Sequence, residues 1–184
     1  MGVTKADTAP CVWIGCLHHY NIGSLVGEWF PVTKASYVTL ADVHRGSGQG
    51  YAECEELWCM DIDGLPVNRE MDPMEAALWG EIYDEVGHEQ WPALCAWVRS
   101  GSYIAQGDTD LPSVGDFEEA YVGCWDSFRD YAFHLSEDIG LFYGLPDDHV
   151  AVRYFSWDSW IRDLEMDYSV EPDGHGGVHV FRSL

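Results

Sequence analysis

Six cysteines, eight histidines and 32 acidic residues are the groups of this 184-residue chain with the chemistry to bind a metal or move a proton. Cys11 and Cys16, and Cys54 and Cys59, are two Cys-x4-Cys pairs; His18 and His19 are adjacent, and His175 and His179 form a His-x3-His pair. Those spacings fall within the loose limits of zinc ligands. No tetrad is tightly spaced, however, and three of the cysteines fall inside expected strands, where a thiol behaves as a small apolar side chain. The expectation is a chain with no metal and no other cofactor. "DIDG" (61–64) and "GDTD" (107–110) supply Asp-x-Asp pairs without the third ligand and terminal Glu of a calcium loop, and read as turns. Catalysis by paired carboxylates needs two acids whose environments separate their pKa values, and 32 acids single out no pair. There is no P-loop, dinucleotide fingerprint, Gly-x-Ser-x-Gly elbow or recognisable Cys-His pair. The chain reads as a non-enzyme with no catalytic residue.

The acids carry another message. A net charge of −23 is far beyond the magnitude of about 2 to 8 that keeps a small domain soluble, and it opposes compaction by self-repulsion. Direct binding to nucleic acid or to an anionic membrane is excluded on charge, because both reward a basic patch. A basic protein surface is the natural complement. Residues 1–52 hold three acids against three bases, so the whole net charge falls on residues 53–184. Adaptation of a proteome to high salt would acidify every exposed segment, and this chain spares its first 52 residues; the asymmetry points to an interaction surface. With no charged segment followed by an apolar core at the start, the cysteines read as thiols in a reducing cytoplasm, and no run approaches the roughly 18 apolar residues of a membrane span.

The elements that must hold these acids follow from periodicity. With 47% hydrophobic and 14% aromatic residues the chain has the apolar surface to fold. "CVWIGCL" (11–17), "LVGEWFPV" (25–32) and "ELWCMDIDG" (56–64) alternate as strands do, "KASYVTLADVH" is helical in composition, and "RGSGQG" (45–50) is a flexible connection. Asp72, Pro73 and Glu75 form a helix start, with Leu78, Trp79, Ile82, Tyr83 and Val86 on one face and Glu81, Asp84 and Glu85 on the other. Pro92 and Gly101 bracket a second helix. Residues 117–126 suggest a strand, then Phe128, Tyr131, Ala132, Leu135 and Ile139 a helical stripe. In "WDSWIRDLEMDYSVEPD" (157–173), six carboxylates and one arginine surround Trp157, Trp160, Ile161, Leu164 and Tyr168, which recur as one face of a helix. The last residues read as two strand pieces joined by a Gly-rich turn. Val26, Gly27 and Trp29 are echoed by Val122, Gly123 and Trp125. The fold class is α+β in three small domains: residues 1–66 (a sheet with a helix, residues 1–10 an extension), 67–101 (helical) and 102–184 (a sheet with helices).

"VWIGCLHHYNIGSLVGEWFPV", "EELWCMDIDGLP", "FEEAYVGCWDSFRDYAFHLSEDIG" and "YFSWDSWIRDLEMDYSVEPDGHGGVHVF", in that order, resemble the ArdA antirestriction family of plasmids, conjugative transposons and phages. The Tyr-Asn-x-Gly turn at Tyr20–Gly23 and Gly27-x-Trp29 are the most specific part. The resemblance implies an elongated, cytoplasmic, dimeric inhibitor that imitates duplex DNA and occupies the DNA-binding cleft of type I restriction-modification enzymes. It departs from the family in the N-terminal extension, the Gly-rich 44–50 loop and the longer 173–180 turn. The carboxylates expected to stand in for phosphates are Glu55, Glu56, Asp61, Asp63, Glu81, Asp84, Glu85, Asp116, Glu118, Glu119, Asp130, Glu137, Asp138, Asp158, Asp163, Glu165 and Asp167. An acidic module for another basic DNA-binding protein is the competing expectation.

Overall fold

The computed structural model describes residues 9–184; of the expected N-terminal extension, residues 1–8 lie outside them. The chain is α+β, and it divides into two compact units: one runs to Cys95 and takes in Ala105–Val114, the other comprises Ala96–Ile104 and Gly115–Leu184.

In the first unit, β1 (Cys11–Cys16) is the middle strand of an antiparallel sheet of order β2-β1-β3. Alternation sends Val12, Ile14 and Cys16 to the buried face, joined by Cys59 of β3. Trp13 covers the other face, over glycines at which a Cβ would come within 2.5 Å of its ring, Gly15 and Gly27. After β1 come α1 (Leu17–Asn21), β2 (Gly27–Pro31), a 3-10 helix (Val32–Tyr37), α2 (Leu40–Val43) and β3 (Leu57–Asp63). Residues 34–44, a single helix by composition, are two short ones. Thr39 breaks them by adopting the extended geometry of an N-cap: its Oγ1 accepts from the Asp42 N–H at 3.3 Å, and the Asp42 carboxylate accepts from the Thr39 N–H at 3.0 Å. The Thr39 hydroxyl, donating to the Asp42 carboxylate at 2.6 Å, and the Thr39 N–H together hold the Asp42 carboxyl below the usual range.

The helix expected at Pro73 is α3 (Pro73–Val86), and Asp72 Oδ1 accepts from the N–H groups of Met74 at 2.7 Å and Glu75 at 2.9 Å. The Glu75 carboxylate binds Arg69, which also reaches Asp110 at 2.8 Å, so Glu75 serves an ion pair at the helix start. Ala76, Trp79, Gly80 and Ile82 form the buried face, and Leu78, expected inside, is exposed. The stripe turns because Gly80 meets the backbone of the 3-10 helix: a Cβ there would lie 2.8 Å from Thr33 Cα. Next, α4 (Trp91–Ser100) ends at Gly101, whose φ of 75° is the left-handed geometry of a helix stop. The boundary between the units falls inside α4, so residues 67–101 contribute to both.

Where 117–126 suggested one strand, the chain is helical through α5 (Val114–Ala120) and extended only in β4 (Tyr121–Trp125). Val114, Phe117 and Ala120 are buried at helical spacing, which overrides the β-like composition after them. Then come α6 (Phe128–Asp138), α7 (Val150–Arg153), α8 (Trp157–Glu165), β5 (Tyr168–Pro172) and β6 (Val178–Arg182), the strands pairing antiparallel in the order β4-β6-β5. One core joins Phe128, Tyr131, Ala132, Ile161 and Val180, with Trp157, Trp160, Leu164 and Tyr168 packed against it. Ile139, assigned to the α6 stripe by spacing, follows the helix end and is 57% exposed. A second group stacks Trp97, Phe117, Tyr121 and Phe181, with Phe117 and Tyr121 at 5.2 Å between centroids. The echoed triplets Val26-Gly27-Trp29 and Val122-Gly123-Trp125 both fall at edge strands, β2 and β4.

Candidate partner-binding surface

Every candidate carboxylate is exposed except Asp116, which is half-buried. Glu55 and Glu56 lead into β3, an edge strand on which Asp61 and Asp63, two residues apart, point the same way. Glu81, Asp84 and Glu85 cover the solvent side of α3, and Glu118 and Glu119 that of α5. On α6, Asp130 closes the first turn with Ser127, whose Oγ accepts from the Asp130 N–H at 3.2 Å, while Asp138 meets His134 at 3.1 Å. On α8, Asp158 is 87% exposed at the side chain and binds Arg129 at 2.8 Å, Asp163 lies 3.7 Å from Arg162, and Asp167 follows the helix end. Exposed pairs of this kind contribute about 0 to 1 kcal/mol, so they leave the surface strongly negative.

The placement runs against helix stability. The last four residues of α3 include Asp84 and Glu85, those of α5 Glu118 and Glu119, those of α6 Glu137 and Asp138, and those of α8 Asp163 and Glu165. The carbonyl end of a helix carries partial negative charge, and an acid there costs roughly 0.3 to 1 kcal/mol where a base would stabilise. Of these four last turns, only that of α8 contains a base, Arg162. The like-charge pair Glu81 and Glu85, one turn apart, costs a few tenths of a kcal/mol more.

Other acids have structural work. Asp173 turns the β5–β6 hairpin, its Oδ1 accepting from the N–H groups of His175 at 2.7 Å and Gly177 at 2.9 Å, and these bonds hold its carboxyl below the usual range. "DIDG" is the end of β3 followed by a turn at Gly64, and "GDTD" lies in a turn closed by the Gln106 N–H to Leu111 carbonyl bond of 2.9 Å.

The cysteine and histidine pairs suggested by spacing are not the groups that meet. Cys11 donates to the Ala9 carbonyl at 3.3 Å, and Cys59 is buried in the first sheet, where burial pushes its thiol up to about 12. His179 is buried with its Nδ1 3.1 Å from the Tyr121 hydroxyl, and burial lowers its pKa; His175 is exposed in the hairpin turn. Instead one member of each cysteine pair, Cys16 and Cys54, converges with His19 and His44. His44 carries no spacing signal, since 25 residues separate it from His19.

Exposed carboxylates on helix ends and an edge strand, over aromatic cores, give an α+β protein with a strongly acidic surface. The family model of the antirestriction protein ArdA matches residues 12–178, and the chain belongs to the ArdA antirestriction family. No curated protein matches it. Membership gives it an antirestriction function and restriction enzymes as partners, within a family of inhibitors rather than enzymes. Among the described residues no helix is long and apolar enough to cross a membrane.

Proposed function

We propose that the protein mimics duplex DNA and occupies the DNA-binding cleft of a type I restriction-modification enzyme, protecting incoming mobile-element DNA in the host cytoplasm. The observation that carries this reading is the pair of acids in the last turns of α3, α5, α6 and α8. Acids that cost stability where they stand are retained for a partner. On the edge strand β3, Asp61 and Asp63 are two residues apart, about 6.8 Å along the strand, a length that matches two rises of about 3.4 Å along one DNA strand. Duplex DNA carries one charge per roughly 1.7 Å, so a net charge of −23 corresponds to about 39 Å of axis, on the order of a dozen base pairs.

A homodimer would extend that footprint. Its formation through the second unit is supported by apolar side chains left in water there: Tyr143 at 92% exposure and Val150 and Tyr154 beside or on α7, with Met166 at the end of α8. The test is the plating efficiency of unmodified phage on cells carrying a type I system, with and without this protein. Relief of restriction is expected. Unchanged plating across several type I systems, with the protein shown to be folded, overturns the reading and leaves another basic DNA-binding protein as the partner.

A further inference from the structure

We propose that Cys16, His19, His44 and Cys54 form a structural zinc site in the first unit. All four residues are buried, and their ligand atoms lie within 4.8 Å of one another. They come from four separate places: the end of β1, α1, the C-terminal cap of α2, and the segment before β3.

Four of the six distances between the ligand atoms lie within about 0.3 Å of those of a tetrahedron. Zinc at about 2.0 to 2.1 Å from nitrogen and about 2.3 Å from sulfur places ligand atoms roughly 3.3 Å apart for two nitrogens, 3.6 Å for nitrogen and sulfur, and 3.8 Å for two sulfurs. Here His44 Nε2 lies 3.3 Å from His19 Nδ1, and His19 Nδ1 lies 3.3 Å from Cys16 Sγ and 3.5 Å from Cys54 Sγ. Cys54 Sγ is 3.9 Å from His44 Nε2.

Hydrogen bonding alone does not account for this convergence. His19 Nδ1 faces three groups, Cys16 Sγ, Cys54 Sγ and His44 Nε2, yet one ring nitrogen offers either one hydrogen or one lone pair. His44 Nδ1 lies 2.7 Å from the Leu40 carbonyl, which can only accept, so Nδ1 carries the hydrogen and Nε2 presents a lone pair inward. A histidine fixed through its outer nitrogen to a backbone carbonyl is the usual outer-shell support of a metal ligand. A cation at the centre satisfies both nitrogens and both sulfurs together. Two thiolates neutralise the charge of Zn2+, so the filled site is formally neutral, and binding releases two thiol protons.

Two thiolates and two imidazoles select zinc among the common cellular divalent ions, and four protein ligands in a closed, buried site mark it as structural rather than catalytic. The local chain needs such a fastener. Helices α1 and α2 have five and four residues, too short to persist alone, and the 45–50 connection between His44 and Cys54 is rich in glycine. Cys16-x2-His19 is a tight ligand spacing, but the partner pair His44 and Cys54 is ten residues apart and is recognised only in three dimensions.

The experiment uses the full chain without a histidine tag, purified in reductant and without chelator. Elemental analysis is expected to find about one zinc per chain. Replacing zinc by cobalt is expected to give the absorption bands of a tetrahedral ion together with thiolate-to-cobalt charge transfer. Cys54→Ser and His44→Gln should lose the metal, and Cys124→Ser, at an exposed free thiol, should retain it. Should the first two variants not fold, the wild-type chain still decides. A folded, reduced wild-type protein that takes up neither zinc nor cobalt, or that binds cobalt without the thiolate band, overturns the proposal. So does a Cys16–Cys54 disulfide that yields no metal uptake after reduction.

Discussion

The two sheets are alike in form and differ in what is gathered around them. Each has three antiparallel strands, and each edge strand β2 and β4 carries the Gly-x-Trp of the echoed triplet. Around the first, up to residue 52, the chain is neutral and draws two histidines and a cysteine inward, to meet Cys54. Around the second, aromatic rings fill the interior and carboxylates cover the outside. The difference teaches that a charge array must be anchored by something indifferent to charge. Repulsion among the acids of α6 and α8 is held by contacts such as Phe133 to Trp157 at 4.7 Å and by Ile161 in the core.

The largest expected effect breaks an anchor. Phe181 is fully buried among Trp97, Phe117 and Tyr121, so Phe181→Ala should cost about 3 to 5 kcal/mol in urea denaturation, read from tryptophan fluorescence. Next in size is the charge itself. Replacing Asp158, Asp163, Glu165 and Asp167 together by their amides should weaken binding to the purified restriction enzyme by more than about tenfold and flatten its salt dependence, since fewer counterions are released. The same variant should be as stable as the parent or slightly more so, because two of those acids occupy the last turn of α8. An equal loss of stability and binding would erase the distinction between anchor and array.

A smaller effect sharpens the comparison in the first unit. Asp72→Ala removes the cap of α3 and should cost about 1 kcal/mol of stability, with little change in binding. In the second unit, burial keeps His179 below its ordinary value of 6.5, with Tyr121 at its Nδ1 and the Asp173 charge opposing the shift. The unfolded chain therefore takes up that proton first. The contribution is present above about pH 6.5 and is lost as the pH falls through the lowered folded value. The urea midpoint should fall as the pH drops below about 6.5, and His179→Gln should flatten that slope. The smallest effect belongs to single exposed acids: Asp158→Asn alone should change binding by less than about twofold, because the attraction is spread over many charges.

What the sequence made legible was local. Asp72 and Pro73 announced α3, alternation announced β1 and β3, and the stripe of Trp157, Trp160, Ile161 and Leu164 announced α8, because caps and periodicity act within a few residues. Exposure of the carboxylates followed from hydration. The errors came from contacts made at a distance. The buried face of α3 rotated away from Leu78 because Gly80 admits the backbone at Thr33, and α5 was hidden because its apolar spacing, Val114, Phe117 and Ala120, runs straight into β-forming residues. His44 could not be paired with His19 from sequence, since only the return of the chain after β2 brings them together.

The strand orders carry a consequence for the order of synthesis. In the first sheet the middle strand, β1, is made first, so β2 and then β3 find a template waiting. In the second sheet the middle strand is β6, made after both of its neighbours. While the chain grows, β4 and β5 have no ladder to join, and the aromatic residues meant for their shared core must wait exposed. The heavily charged segments emerging alongside them would keep such unfinished chains apart, a service rendered by the same carboxylates before any partner is met.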